Sequence, residues 1–405
     1  MILPGLRDRA AAAALLALAL VPVLVISGPV ELGPGLVPAY RLKLAVAVVL
    51  AAALLASIGV ERIWRGEVRP RAADAPQWLA LALLIWTGLS WISAAGSSEV
   101  GPALLRILML ANFVALVGAA RISNRTVVAV LAVTALGLST LALLEVAGVQ
   151  LFGRGQLAPS ASLGHRNNVA FHLAAGLPLV VVAALAAPRR WMRIAAVLGV
   201  ALLVAGLVVA RSRSGWLAGM VAVLPVWWLR PPLRRLVLPV VLGCAVAAMA
   251  APRGGLERLG QRVAQAFDPT TDAYVDRARL IEDTAAEIAE RPLLGWGIGS
   301  FHERHPNYFH GRIAADHPHN DVLTAAYESG LPAAALLILL IGWVLSGALR
   351  RAVTGEPLAV AAVGALLAWI VLGLTNSPIA LAPSAVHFWL TLGLAGRCRQ
   401  REDSR

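Results

Sequence analysis

The chain has 405 residues, of which 59% are hydrophobic and only 14% are charged. A typical soluble domain is about half apolar and about a quarter charged, so this composition argues against a soluble globular protein. Two Cys residues exclude a disulfide scaffold and a four-Cys zinc site. The net charge of +13 would suit a nucleic-acid-binding protein, but basic residues also gather in the cytoplasmic loops of membrane proteins. We therefore expect a lipid bilayer and no nucleic acid as the partner.

Long apolar runs predict about twelve membrane spans, because one span needs about 20 mostly apolar residues. We place them at 10–27, 42–60, 78–95, 103–120, 126–147, 168–187, 192–210, 214–229, 236–251, 333–349, 357–375 and 379–396. With a cytoplasmic N-terminus, the inside segments hold 20 basic residues and the short outside segments hold six. This bias predicts an all-α, polytopic protein of the inner (plasma) membrane with both termini in the cytoplasm.

One long outside segment lies between the ninth and tenth predicted spans and carries 12 of the 22 acidic residues. We therefore divide the chain into 1–251 with spans one to nine, 252–332 as a periplasmic helical subdomain, and 333–405 with the last three spans and a cytoplasmic tail. Within the subdomain, Leu280, Ile281, Ala285 and Ile288 recur at helical spacing, Thr284 is the polar member of that stripe, and Glu287 falls on the opposite face. No internal repeat relates the two halves, which disfavours a transporter built from related halves.

The histidines concentrate on the predicted outer side, and seven of the eight fall on it or near it. The pairs His302/His305 and His317/His319 could hold zinc, but no companion Cys or H-E-x-x-H pattern supports a metal, and we expect none. His317 and His319 shortly precede the tenth span, where a His could take a proton at the membrane surface. Alternatively, His317 only caps a helix or bonds to the backbone.

Several basic residues stand at the outer face, where the positive-inside rule disfavours them. Arg211 and Arg213 fall in a three-residue turn between the seventh and eighth spans, and Arg166 precedes the sixth. A guanidinium group pairs bidentately with phosphate. The pattern predicts a cavity, open to the outside, that holds a phosphate-bearing lipid. The Gly-rich run 295–301 could cradle phosphate as well, but a tight turn that lets backbone pack closely is the favoured interpretation.

Four motifs resemble those of the O-antigen ligase family, also called the O-antigen polymerase/ligase superfamily. In chain order they are Gly164-His165-Arg166-Asn167-Asn168-Val169-Ala170, Ser212-Arg213-Ser214-Gly215, Arg277 fifteen residues before Pro292-Leu-Leu-Gly-Trp-Gly-Ile-Gly-Ser-Phe301, and His319-Asn320 with Gly330 after nine further residues. Together they cover residues 164–335. Ala333 departs from the pattern, since ligases often have Gly, Thr or Tyr there.

The resemblance implies a GT-C-like, membrane-embedded glycosyltransferase of lipopolysaccharide biosynthesis. Its donor would be a glycan on undecaprenyl pyrophosphate, and its acceptor a sugar hydroxyl of the lipid A core. The reaction would be an inverting displacement without metal or cofactor, in an active site that faces the periplasm. His319 would be the general base, and Arg213 and Arg277 would hold the pyrophosphate. Further candidates for donor binding or support are Arg211, Arg166, His317 and Asn320.

Other functions stay open at this point. A polymerase of the same superfamily would use another lipid-linked glycan as acceptor, and a relative that glycosylates proteins is also possible. The short predicted loop 148–167 favours a ligase, because polymerases often carry a second sizeable outside loop there. A transporter or flippase of anionic lipid predicts ionisable groups along a path through both leaflets, whereas the predicted mid-span regions hold few.

Overall fold

The computed structural model of the chain describes residues 29–32, 35–38, 75–93, 123–149, 163, 165–229, 272–305, 317–380 and 382–400. Its helices are α1 (Ala75–Ser93), α2 (Asn124–Val146), α3 (Arg166–Ala186), α4 (Arg190–Ala210), α5 (Arg213–Leu229), α6 (Asp272–Glu290), α7 (Ser300–Arg304), α8 (Asp321–Val353), α9 (Pro357–Thr375) and α10 (Ala382–Gln400), with a 3₁₀ helix at Pro378–Ala380. Strands β1 (Pro29–Leu32) and β2 (Gly35–Pro38) pair antiparallel, with Val30 opposite Val37. This hairpin is the part of the described fold that the all-α prediction did not include.

Eight of the twelve predicted spans coincide with described helices, namely α1 to α5 and α8 to α10. Five of the described helices are long and apolar enough to cross a membrane: Asn124–Val146, Arg166–Leu185, Arg190–Ala210, Asp321–Val353 and Pro357–Thr375. The predicted spans 10–27, 42–60, 103–120 and 236–251 lie outside the described residues. The chain is therefore a multi-pass helical membrane protein. The count of twelve, the domain boundaries and the position of the long outside loop stay predictions.

Helices α3 and α9 form the centre of the described bundle. Helix α3 packs against α2, α4, α5 and α9, and α9 also packs against α5, α8 and α10. Small side chains let helix backbones approach closely, which favours packing where lipid replaces water outside the bundle. Buried examples are Ala135, Ala170, Ala218, Ala222, Ala361 and Ala365.

Helix α8 is broken at Gly330, where φ is 82° and ψ is 168°. The chain that follows α6 pairs with the broken backbone on both sides of this point. The Trp296 N–H donates to the carbonyl of Tyr327 (2.8 Å), and the Leu331 N–H donates to the carbonyl of Pro292 (2.7 Å). An interrupted helix in a membrane protein needs such partners, because its freed backbone groups cannot be left unsatisfied. The break separates a first segment of α8 (residues 321–329) from the apolar remainder.

The loop and the break approach so closely that neither has room for a side chain. A Cβ at Gly330 would clash with the backbone of Leu293, and a Cβ at Gly295 would clash with the carbonyl of Tyr327. Both glycines have positive φ. The Gly-rich run is therefore a packing turn at this point, as the favoured interpretation of the sequence predicts.

Helix α1 completes the surroundings of the break. The Trp86 Nε1–H donates to the carbonyl of Ser329 at 2.9 Å, and the hydroxyls of Ser90 and Ser329 lie 3.0 Å apart. These bonds satisfy groups that the interrupted helix leaves without intrahelical partners.

Helix α6 lies on the first segment of α8 through a narrow buried stripe. Leu280, Thr284 and Ile288 are buried at a spacing of four residues. The predicted stripe was too wide, because Ile281 and Ala285 are exposed. Helix α6 covers α8 from one side only, so a single row of side chains suffices.

The helices of the bundle run up and down, so several of their ends meet. The start of α3, the turn between α4 and α5, the start of α8 and the end of α9 lie at one end of the bundle. A direct contact supports this arrangement: the Asn376 Nδ2–H, just after α9, donates to the Ser214 hydroxyl in α5 at 3.0 Å. The residues that the sequence singles out are concentrated at this end.

Replacing Gly330 should destabilise the protein. In Gly330→Ala, the new Cβ meets the Leu293 backbone, and the φ/ψ pair falls in a region that is essentially open to Gly alone. We expect a loss of about 1–3 kcal/mol or more. The measurement is the Tm of detergent-solubilised protein. Gly342→Ala is the matched control, since a Cβ there meets open space and Ala favours a helix. Equal Tm values for the two variants would contradict the assigned role.

Candidate functional site

His319 has an unusual backbone conformation directly before α8. Its φ is +54°, in the left-handed region that residues other than Gly rarely adopt. The N-cap Asn320 holds the helix start, because its Oδ1 accepts from the N–H groups of Val322 (2.9 Å) and Leu323 (3.1 Å). The His317 Nδ1 accepts from the N–H of His319 at 3.3 Å. His317 and Asn320 therefore form hydrogen bonds with the backbone on either side of the helix start. These bonds fix the position of His319 just before α8.

The turn between α4 and α5 positions two of the predicted arginines. Arg211 ends α4 with φ of 50°, and its N–H donates to the Val208 carbonyl at 3.1 Å. The buried Ser212 hydroxyl accepts from the N–H of Gly215 at 3.2 Å and so caps α5. Arg213 thus stands in the first turn of α5. Within the described ranges, Arg211 and His319 are the residues other than Gly with positive φ, and such strain is often found at functional sites.

The structure brings His319 together with Arg277 and Arg213, which come from three different elements. The positive charge of Arg277 acts on the imidazole of His319, and the charge of Arg213 acts on Arg277. The imidazole of His165, the N-cap of α3, also influences His319. The side chain of Asn376 forms a hydrogen bond with His319. This cluster contains the three main residues that the sequence predicts.

The surroundings of His319 keep its imidazole neutral. Burial lowers the pKa of His319 to about 4, and the nearby charges of Arg277 and His165 contribute to this decrease. The hydrogen bond with Asn376 acts in the opposite direction and raises the pKa. The pKa of Arg277 is itself lowered, first by removal from solvent and then by Arg213, although part of its side chain stays exposed. Near neutral pH the cluster therefore combines a neutral base with two positive charges.

Asn376 belongs to the site, yet the sequence interpretation did not include it. Its amide nitrogen donates to Ser214 Oγ (3.0 Å) and to Thr375 Oγ1 (3.2 Å), and the residue is buried. These donor bonds direct the amide and leave its oxygen for the imidazole of His319. The sequence did contain a signal, because Asn376 interrupts an apolar stretch between two predicted spans. Burial of a polar group in a membrane bundle costs free energy, so such a residue by default marks a functional site.

The remaining predicted residues lie at the edge of the cluster. Arg166 is the first residue of α3, and its charge lowers the pKa of His165 in addition to the larger effect of burial. The guanidinium of Arg211 is exposed at the end of α4. These two arginines add positive charge to the same end of the bundle.

The described residues contain no group of three or more His, Cys, Asp or Glu that could hold a metal ion. His305 instead pairs through Nε2 with Glu287 Oε1 at 3.0 Å, and its Nδ1 lies 3.1 Å from the Phe301 carbonyl. The rings of His317 and His319 meet edge to face, 4.5 Å apart. The side chain of His302 is outside the described part.

A cavity of about 90 Å³ lies between α1, α10 and the part of α8 on both sides of the break, and Asp321, two residues after His319, lines it. Its walls are mostly apolar and include Leu83 and Trp389. The carboxylate of Asp321 borders the cavity, and its Oδ1 accepts from the N–H of Ile379 at 3.2 Å. This bond ties the connection between α9 and α10 to α8, so Asp321 supports the placement of Asn376 and His319.

Comparison with known protein families identifies the central part of the chain. Residues 198–338 match the family model Wzy_C, described as O-antigen ligase. This segment is therefore similar to the O-antigen ligase/polymerase superfamily. The match contains Arg213, Arg277 and His319, while Arg166 lies before it and Asn376 after it. The resemblance drawn from the four motifs is therefore confirmed. No curated protein matches the chain.

Removing the charge of Arg277 should raise the pKa of His319. In Arg277→Gln, one of the groups that disfavour the imidazolium is gone, so the pKa should move from about 4 toward the ordinary 6.5. Histidine labelled with ¹³C at Cε1 allows an NMR titration in detergent, and His319→Gln assigns the signal. Arg279→Gln, two residues along the same helix, is the control and should leave the titration unchanged. A His319 titration that is unaffected by Arg277→Gln would contradict the proximity of the two side chains.

Proposed function

We propose that this protein is an O-antigen ligase that transfers a glycan from undecaprenyl pyrophosphate to a sugar hydroxyl of the lipid A core. The observation that carries the proposal is the meeting of one neutral histidine, His319, with the guanidinium groups of Arg277 and Arg213. A base and two cations are the groups that such a transfer needs. The superfamily match of residues 198–338 supports the same class of reaction.

The proposed chemistry is a single inverting displacement without metal. The acceptor hydroxyl oxygen attacks the anomeric carbon of the donor sugar while the bond from that carbon to the pyrophosphate oxygen breaks. The hydroxyl proton passes to His319, because a hydroxyl is a poor nucleophile until a base accepts its proton. Arg277 and Arg213 stabilise the negative charge that develops on the departing pyrophosphate.

The arginines also couple donor binding to the strength of the base. In the free protein, burial and the charge of Arg277 keep the pKa of His319 at about 4, where imidazole is a weak base. A bound pyrophosphate would compensate the charge of Arg277 and so raise the pKa of His319. The base would thus become effective only when the donor is in place.

The distribution of charge supports an active site on the periplasmic side of the inner membrane. The connections at the bundle end opposite His319 carry Arg189 and Arg190 between α3 and α4, and Arg350 and Arg351 where α8 ends. Basic residues in short connections mark the cytoplasmic side. His319 and its cationic neighbours would then face the periplasm, with both termini in the cytoplasm.

A reconstituted transfer assay tests this function. His319→Gln should lower transfer by about 10²–10⁴-fold, because base assistance is worth that much. Arg213→Gln and Arg277→Gln should each lower it by about 10²–10³-fold through loss of charge stabilisation. Arg279→Gln and Arg190→Gln are the controls, and both should remain active. Full activity of the His319 and arginine variants would remove the cluster from the mechanism.

The substrates of the assay separate the ligase from its alternatives. Purified protein receives an undecaprenyl-pyrophosphate glycan, with or without a rough lipopolysaccharide acceptor. A shift of the lipopolysaccharide band is the expected result. Longer lipid-linked glycan in the absence of acceptor would indicate the polymerase instead. Movement of the lipid across a vesicle bilayer, with no product in either arm, would indicate a flippase.

Asn376 should act as a positioning residue for the imidazole. In Asn376→Ala the hydrogen bond that raises the pKa of His319 is lost, so transfer should fall by up to about 10²-fold and the acid limb of the pH profile should move to lower pH. In Asn376→Asp an acceptor is kept and a negative charge is added, so the acid limb should move to higher pH. The measurement is kcat/KM against pH. Shifts of both variants in the same direction would contradict this role.

A further inference from the structure

Helix α6 is tied to α8 at a second point, away from the reacting groups. The carboxylate of Glu287 accepts a hydrogen bond from the Tyr327 hydroxyl at 2.8 Å, forms an ion pair with Arg304 (3.3 Å) and lies 3.0 Å from His305 Nε2. Tyr327 and His305 are buried, so a low-dielectric environment strengthens these contacts. The sequence pattern places Glu287 on the solvent face of the helix, whereas the structure turns it toward α8.

Trp296 joins the same network from the loop. Its Nε1–H donates to the backbone carbonyl of Glu287 at 2.9 Å. Its ring lies between two guanidinium groups, with Arg304 Cζ 3.6 Å and Arg291 Cζ 4.1 Å from the ring centroid. Each such contact is attractive by electrostatics. Glu287 therefore connects α6 to the loop through its backbone carbonyl, and to α7 and α8 through its carboxylate.

The network and the site lie at corresponding positions on two helices that run side by side. Glu287 follows Arg277 by ten residues, which is about 15 Å along α6. Tyr327 lies six residues, or about 9 Å, after the first residue of α8, and His319 stands just before that helix. The pair Glu287–Tyr327 and the pair Arg277–His319 therefore sit toward the two ends of one helix contact. Between them lies the narrow stripe that contains Leu280.

We propose that Glu287 is a positioning residue, which holds α6 on α8 through Tyr327 and thereby keeps the guanidinium of Arg277 beside His319. The proposal rests on the function proposed above and names a part of that site which touches no substrate. The side of α6 opposite α8 is exposed, and the stripe between the helices is one residue wide. Loss of the contact between Glu287 and Tyr327 should therefore displace Arg277 at the other end of the helix.

The test uses two variants of the full-length protein, Glu287→Ala and Tyr327→Phe. The second removes one hydroxyl and keeps the buried ring, so it preserves packing if the first variant fails to fold. Both should lower transfer by about 10-fold, within the range of coupling between contacting residues. Both should also move the acid limb of kcat/KM to higher pH, as Arg277→Gln does, because His319 loses a nearby positive charge. The titratable groups that face His319 are Arg277, His165 and His317, beside its hydrogen-bond partner Asn376, and the variants alter only the position of Arg277.

A double-mutant cycle distinguishes positioning from general stabilisation. In the Arg277→Gln background, Glu287→Ala should lower the rate of transfer by less than about 2-fold, because Glu287 acts through the guanidinium that this background lacks. Glu287→Gln, which keeps an acceptor for the Tyr327 hydroxyl, should retain more activity than Glu287→Ala. Glu290→Ala, at an exposed position of the same helix, is the control and should behave as wild type.

The outcomes separate the two proposals. An unchanged acid limb, or fully additive losses with Arg277→Gln, would overturn the positioning role of Glu287 while leaving the function proposed for His319 intact. Full activity of His319→Gln and Arg277→Gln would overturn the function itself, whatever Glu287→Ala does.

Discussion

The pairing between the loop after α6 and the break in α8 is the constraint on which the site depends. Gly330 interrupts a helix that would otherwise run unbroken into the bundle, and Pro292 and Trp296 replace the backbone partners that the interruption removes. Without this pairing, the first segment of α8 would have no fixed angle to the rest. Because α6 enters the same loop directly, the break also determines where α6 lies. The base on α8 and the cation on α6 are therefore placed by one local arrangement of backbone.

The electrostatics of the cluster follow from its position at the end of the bundle. The charge of Arg277 disfavours the charged form of His319, and the charge of Arg213 disfavours that of Arg277. Such an arrangement costs free energy in the free protein, since like charges are gathered at one place. An anionic ligand relieves that cost. The same groups that destabilise the empty site are thus the ones that would favour a pyrophosphate, which is the usual logic of a preorganised site.

Local chemistry in the sequence predicted much of this. Apolar runs located the eight described bundle helices, and the motif residues Arg213, Arg277 and His319 do meet in space. Asn376 and Glu287 could not be found in the same way, because their roles depend on contacts across long sequence separations. Helical periodicity placed Glu287 on the wrong face. In a sequence, a half-buried carboxylate with three partners cannot be distinguished from a solvent-exposed one. The hairpin at 29–38 had no signal in the apolar pattern.

The fold explains the number of residues between the motif positions. Eleven residues separate His319 from Gly330, and this number sets the length of the segment between the base and the break. Fifteen residues separate Arg277 from Pro292 and set the corresponding length on α6. One residue added to either helix would rotate everything beyond it by about 100° and shift it by about 1.5 Å. The imidazole or the guanidinium would then leave the cluster while the loop stayed paired. The intervals between the motif residues are therefore as much a part of the site as the residues themselves, because each interval is measured from the point where the loop at Pro292 pairs with the break at Gly330.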